Sequence, residues 1–170
     1  MNEKSCIKIE TNNNWSLIEF ECFISSLTNI YYTLYVCTDI IDKLPYLSLQ
    51  YNYRKISIIN YIKNRTHWIK DDDLLYIKSI RMESPGDIVI AGGGIVREIR
   101  ELIKDLEYRN EQEKEMGQLN ILEKKLEIME RYGIPKNELA KILRYTNENV
   151  ESINSFKSKG LIGSIIDIKA

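Results

Sequence analysis

The stretch LLYIKSIRMESPGDIVIAGGG, from Leu74 to Gly94, decides the fold. Two runs rich in β-branched and apolar residues flank Ser84-Pro85-Gly86-Asp87. Proline presets φ at the second position of a turn, and glycine accepts the positive φ that a type II turn needs at the third. The stretch therefore predicts a hairpin. Upstream, Lys4 to Thr11 alternates polar and apolar residues and reads as a third strand joining a small antiparallel sheet. Downstream the period changes. Ile95, Ile99, Leu102 and Leu106 step by four, three and four, which is the spacing of one helix face.

Further out, Asn12-Asn13-Asn14 breaks the first strand. Leu17, Phe20, Ile24, Leu27, Tyr31, Leu34, Tyr35 and Ile41 then predict an amphipathic helix of several turns, ended by Pro45. Residues 46–70 fit a strand or a helix equally well. After Leu106 comes a charged stretch, Arg109 to Glu115. Leu119, Leu122, Leu126 and Met129 then resume the helical step in a register offset by one residue. That offset predicts a long charged arm with a break near Gly117 or a coiled-coil stutter. Gly133-Ile134-Pro135 ends the arm. Two short helices, about 136–145 and 147–157, and a last strand over 161–168 follow. The expected class is α+β, divided into an α+β domain over 1–94 and a helical arm with a C-terminal helical subdomain over 95–170.

The chain has 170 residues and 20.0 kDa, and its 44% hydrophobic content suffices for a core and excludes intrinsic disorder. Lys and Arg number 24 against 25 Asp and Glu, so a chain-wide polycation coating nucleic acid is excluded. The cysteines are Cys6, Cys22 and Cys37, without a CxxC pair, and His67 is the single histidine. This argues against a disulfide framework and a zinc site, and no cofactor is expected. The start lacks the pattern of a secretory leader and no run is apolar enough to span a membrane, which points to the cytoplasm. Abundant Ile and Asn fit a low-GC bacterial or phage genome.

Three features bear on function. Gly92-Gly93-Gly94 between a strand and a helix looks like a dinucleotide loop, but Arg97 holds the position of the third fingerprint glycine. A joint that redirects the chain explains the glycines as well. Second, no acidic residue lies between Asp42 and Asp71, while Arg54, Lys55, Lys63 and Arg65 interleave with tyrosines and Trp68. Cations attract phosphates and aromatic faces stack on bases, so these five residues are candidates for binding nucleic acid or a nucleotide. Third, apolar positions at Leu139, Leu143, Tyr145, Val150 and Ile153 fit a degenerate helix-turn-helix over 136–162. However, its turn carries Arg144 in place of glycine, and its reading helix has two acids and no base. No residue stands in a catalytic context.

The motif IKSIRMESPGDIVIAGGG, followed by IVREIRELIKDLEYRNEQEKE, resembles poorly characterised bacterial proteins with a strand, a Ser-Pro turn, a second strand and a helical continuation. In some of these the continuation is a membrane span, which Arg97, Glu98 and Arg100 exclude here. The resemblance implies a place in mobile-element or phage-defence neighbourhoods. It carries over no catalytic residue.

Together these features predict a non-enzymatic oligomerising or adaptor protein. Its contact would be the stripe Leu119, Leu122, Leu126 and Met129, because a lone helix cannot bury such a stripe. The stripe must fold back on its own domain or meet a partner, either a second copy or another protein. The alternative is a nucleic-acid or nucleotide binder acting through 43–70 or 136–162.

Overall fold

Strand β1 (Ser5–Thr11) lies inside a four-stranded sheet of order β2-β3-β1-β4, where β2 is Tyr76–Arg81, β3 Gly86–Gly92 and β4 Ile162–Ile168. The computed structural model describes residues 5–12, 14–44, 57–65, 69–81, 83–107 and 121–168, without the side chains of 104–107. Every pairing is antiparallel, with Ile7 opposite Ile90 and Ile9 opposite both Ile88 and Ile165. These isoleucines line one face and are buried, whereas Lys8, Glu10 and Val89 point to the other and are only partly covered. Because β2 and β4 run antiparallel to their neighbours, β1 and β2 are parallel across β3, and β3 and β4 are parallel across β1. The chain therefore makes two β-α-β crossings, the split arrangement of a four-stranded α+β sandwich.

The first crossing carries α1 (Leu17–Lys43) and α2 (Ile58–Asn64). Local chemistry sets the start of α1. The Glu19 backbone N–H donates to Ser16 Oγ at 3.2 Å and the Ser16 N–H donates to the Glu19 carboxylate at 3.0 Å, a reciprocal capping box. Trp15 packs edge-on against Phe20, a hydrophobic staple across the cap. The middle of the helix departs from the amphipathic expectation. Ile30 to Cys37 are eight consecutive buried residues, so these two turns are enclosed on every side by α2, α3, α4 and α5. Threonines are tolerated in and just beyond these turns, Thr33 fully buried, because their hydroxyls donate back to the carbonyl four residues earlier. Thr33 bonds Asn29 O, and Thr38 bonds Leu34 O, both at 2.8 Å.

The second crossing carries α3 (Ile95–Glu107), α4 (Ile121–Arg131) and α5 (Lys136–Ser158). Helix α3 lies on the sheet and holds β4 through the ion pair Arg100–Asp167. Glu98 on α3 meets Lys125 on α4 at 3.2 Å. In one straight helix those residues would stand ~40 Å apart at ~1.5 Å per residue. The chain therefore reverses between α3 and α4, and the expected long arm is corrected to two helices packed side by side. The expected oligomerisation stripe is corrected with it. Leu122 and Met129 have no exposure and Leu126 has 6%, all within the chain's own core, while Leu119 lies outside the described residues.

Helix α5 is one helix of 23 residues where two short ones and a helix-turn-helix were expected. Nothing in 136–158 breaks it, since the segment holds no glycine or proline. Thr146 and Asn149 donate to the Ile142 and Tyr145 carbonyls through the would-be turn. The ends of α4 and α5 are true stops. Gly133 and Gly160 adopt φ of 88° and 74°, and Ile134 N–H reaches Met129 O as Leu161 N–H reaches Phe156 O.

The hairpin is present with different turn chemistry. Ser84–Pro85 is a cis peptide, and Gly86 begins β3 without a positive φ. Glycine is needed at 86 for closeness, because a Cβ there would fall on the Arg81 and Glu83 carbonyl oxygens. The expected boundary at 94/95 also does not separate two bodies. Strand β4 pairs with β1, α5 lies along α1, and one hydrophobic core runs through both segments.

Candidate functional site

Of the five basic-aromatic candidates, Lys63 and Arg65 are placed together at the end of α2, while Arg54, Lys55 and Trp68 lie outside the described residues. Arg65 closes α2 in the left-handed region at φ 49°, and its Nη2 donates to Asn29 Oδ1 at 3.1 Å. The same Asn29 donates to Asn149 Oδ1 on α5 at 3.0 Å, and Ser26 donates to Ser152 at 3.1 Å. Lys63 Nζ stands 5.3 Å from the Tyr145 ring centroid. Burial raises the Tyr145 phenol above its ordinary pKa, opposed by Arg65. These contacts form a polar seam that fixes α1 against α5. Both cations also sit at a helix C-terminus, where the backbone dipole favours positive charge.

The glycine joint turns the chain, as Asp73 shows. This residue ends a 3-10 turn (Asp71–Asp73), and its Oδ1 lies 2.8 Å from where a Cβ on Gly93 would stand. A Cβ on Gly92 would meet Val96 at 2.7 Å, so close packing of strand on helix accounts for that glycine too. The buried Tyr31 hydroxyl donates to the Asp73 carbonyl and accepts from the Gly93 N–H, tying turn and joint to α1. Burial pushes this phenol up to about 12. A carboxylate held against the glycines repels a phosphate where a dinucleotide loop would receive one.

On the face of the sheet away from the helices, Arg81 and Lys8 both reach the Asp87 carboxylate, Lys8 at 3.5 Å. The hydrogen bond from Arg81 holds Asp87 below the usual carboxylate range. Inside the helical layer, burial raises the Glu98 carboxyl against the opposing Lys125. Burial also pushes the nearby Cys37 thiol up to about 12, which leaves it a poor nucleophile.

The feature that sequence reasoning missed is the exposure of β2. All six of its residues are exposed, with Tyr76 at 41%, Ile77 at 46% and Ile80 at 40%, while Ile88 and Ile90 on the adjacent strand are at 0% and 1%. Among the described residues the helical layer stops at β3. An extra residue interrupts the pairing between Ile77 and Ser79, so that Tyr76, Ser79 and Arg81 share the face away from the helices and Ile77 and Ile80 the helical one. The available signal was the alternation of YIKSIR, which lacks the unbroken apolar run of β3. No protein-family description, no curated protein and no solved structure matches this chain.

Proposed function

We propose that this is a non-enzymatic protein that works by assembly, as an oligomer or adaptor, with β2 as its contact element. The observation that carries the reading is the edge strand itself: three large apolar side chains on a strand exposed along its whole length. Ile77 and Ile80 share one face of this edge, and exposed apolar surface of that kind marks a contact site, although Lys78, Arg81 and the bulge are features that also protect edges. The helical stripe is not used for this, because Leu122, Leu126 and Met129 already fill the core. Light scattering behind gel filtration tests the reading. The unmodified chain elutes at a multiple of 20.0 kDa. Ile80→Asp elutes at the monomer mass with its thermal midpoint retained. A monomer at every soluble concentration, or an oligomer indifferent to that substitution, sinks the reading.

A second reading rests on the adjacency of Lys63 and Arg65 beside Tyr145. Two cations next to an aromatic ring suit a phosphorylated base. Binding of single-stranded nucleic acid that weakens steeply with salt and is lost in the double variant Lys63→Ala/Arg65→Ala supports it. Salt-independent binding counts against it.

A further inference from the structure

We propose that what covers β2 is the β2 strand of a second copy of this chain, paired antiparallel about a two-fold axis. Tyr76 then stands opposite Arg81 of the second copy, Ile77 opposite its Ile80, and Lys78 opposite its Ser79. The inference rests on β2 being the contact element and names the occupant and its register.

The bulge carries the argument. In a regular strand, residues an odd number of positions apart point to opposite faces, so this register would set every side chain against one on the wrong face. The extra residue between Ile77 and Ser79 reverses that phase halfway along the strand. The Tyr76-Ile77 half then matches the Ile80-Arg81 half of a second copy, face for face. Shifting the register by one residue loses the match. It places Lys78 against Lys78 and Tyr76 against Ile80, with a charge repulsion at the centre.

Burial agrees with that register. Ile77 and Ile80 lie on the helical side of the sheet at 46% and 40% exposure, beyond the reach of the helical layer. The two-fold axis brings both pairs together as a strip of four isoleucines that continues the core across the junction. Along the edge, Asp71, Asp72 and Asp73 precede the strand and are solvent-accessible, while Lys78 and Arg81 lie on it and Glu83 follows. Antiparallel alignment puts Arg81 beside Tyr76 of the other copy, whereas Glu83 falls nearer the aspartates than Arg81 does, so charge at the strand ends does not select the register. Arg81 is anchored on Asp87 yet keeps 67% of its side chain exposed, available to the Tyr76 ring. The opposite edge, β4, offers less. It exposes one large apolar side chain, Ile166 at 40%, while its Ile162 and Ile165 are buried and its Asp167 is engaged by Arg100.

Charge reversal across the pair is the test. Ile77→Glu and Ile80→Lys are each prepared alone and then mixed in equal amounts, with mass read by light scattering and folding by thermal midpoint. The unmodified chain is expected at twice the monomer mass and each variant alone at the monomer mass. The mixture is expected back at the dimer mass, because the introduced carboxylate of one chain faces the introduced ammonium of the other. Single variants that dissociate with no recovery in the mixture overturn this register while leaving β2 as the contact element. A dimer that survives in both single variants, or an unmodified chain that is always monomeric, overturns the assembly reading as well. Amide exchange of the unmodified chain supplies a second readout. Protection of β2 that rises with protein concentration supports the pair, and protection independent of concentration counts against it.

Discussion

The middle of α1 and strand β2 are both apolar-rich, yet one is enclosed on every side and the other is exposed at every residue. Ile30 to Cys37 carries three tyrosines and a threonine and is fully buried, whereas the two isoleucines of β2 stay near half exposure. Topology accounts for the contrast. Helix α1 leaves an inner strand and is enclosed by four helices, while among the described residues β2 is the outer strand of a sheet whose helical cover ends one strand short. Apolar composition says that a segment can be buried. Its place in the strand order decides whether it is.

The sharpest way to break this comparison is Leu122→Glu. It sets a carboxylate in a site with no exposure, and the expected result is loss of cooperative thermal unfolding. A folded but dissociated variant would return the α4 stripe to the role of an interface. Next comes a matched pair. Leu34→Ala in the enclosed helix is expected to cost about 2–5 kcal/mol in denaturant titration, whereas Ile80→Ala on β2 stays within about 0.5 kcal/mol when measured on the monomer. Equal losses would remove the distinction between the two regions. At the entry to α1, Ser16→Ala removes the capping hydroxyl and is expected to cost about 1 kcal/mol.

The smallest effect is read as a pH dependence. The Arg81 hydrogen bond depresses the pKa of Asp87 in the folded chain. Its contribution is therefore present above the ordinary carboxylate range and is lost as pH falls through the depressed folded value. Asp87→Asn should lower the thermal midpoint at neutral pH, and the gap to the unmodified chain should close on acidification. A gap that is constant with pH would show that the carboxylate charge contributes nothing to the hairpin.

The α+β class, the first strand, the extent of α1, the hairpin, the stop at Gly133 and the last strand were all legible, because each is written in neighbouring residues. The apolar spacing from Leu17 to Ile41, Gly133 before Pro135 and the alternation of Lys4 to Thr11 are signals that act over a few positions. What lay beyond reading depends on contacts distant in sequence. The meeting of Glu98 with Lys125 folds the expected arm back on itself, and nothing local announces it. The division of α5 was a misreading of apolar spacing. The absence of any breaker from 136 to 158 was the stronger signal. The candidate cations show the same limit, since the partners that hold Arg65 and Lys63, Asn29 and Tyr145, come from helices far along the chain.

The inner position of β1 bears on how the sheet assembles. Its neighbour on one side, β4, pairs Cys6 with Ile168 and Thr11 with Ile162, residues more than 150 positions apart. Closing so long a loop costs conformational entropy before any contact repays it, and folds dominated by such pairings form slowly. During synthesis β1 emerges more than 150 residues before β4, the strand that covers its second side. Until then the described strands leave two sheet edges bare, β1 as well as β2, and are most exposed to wrong pairing.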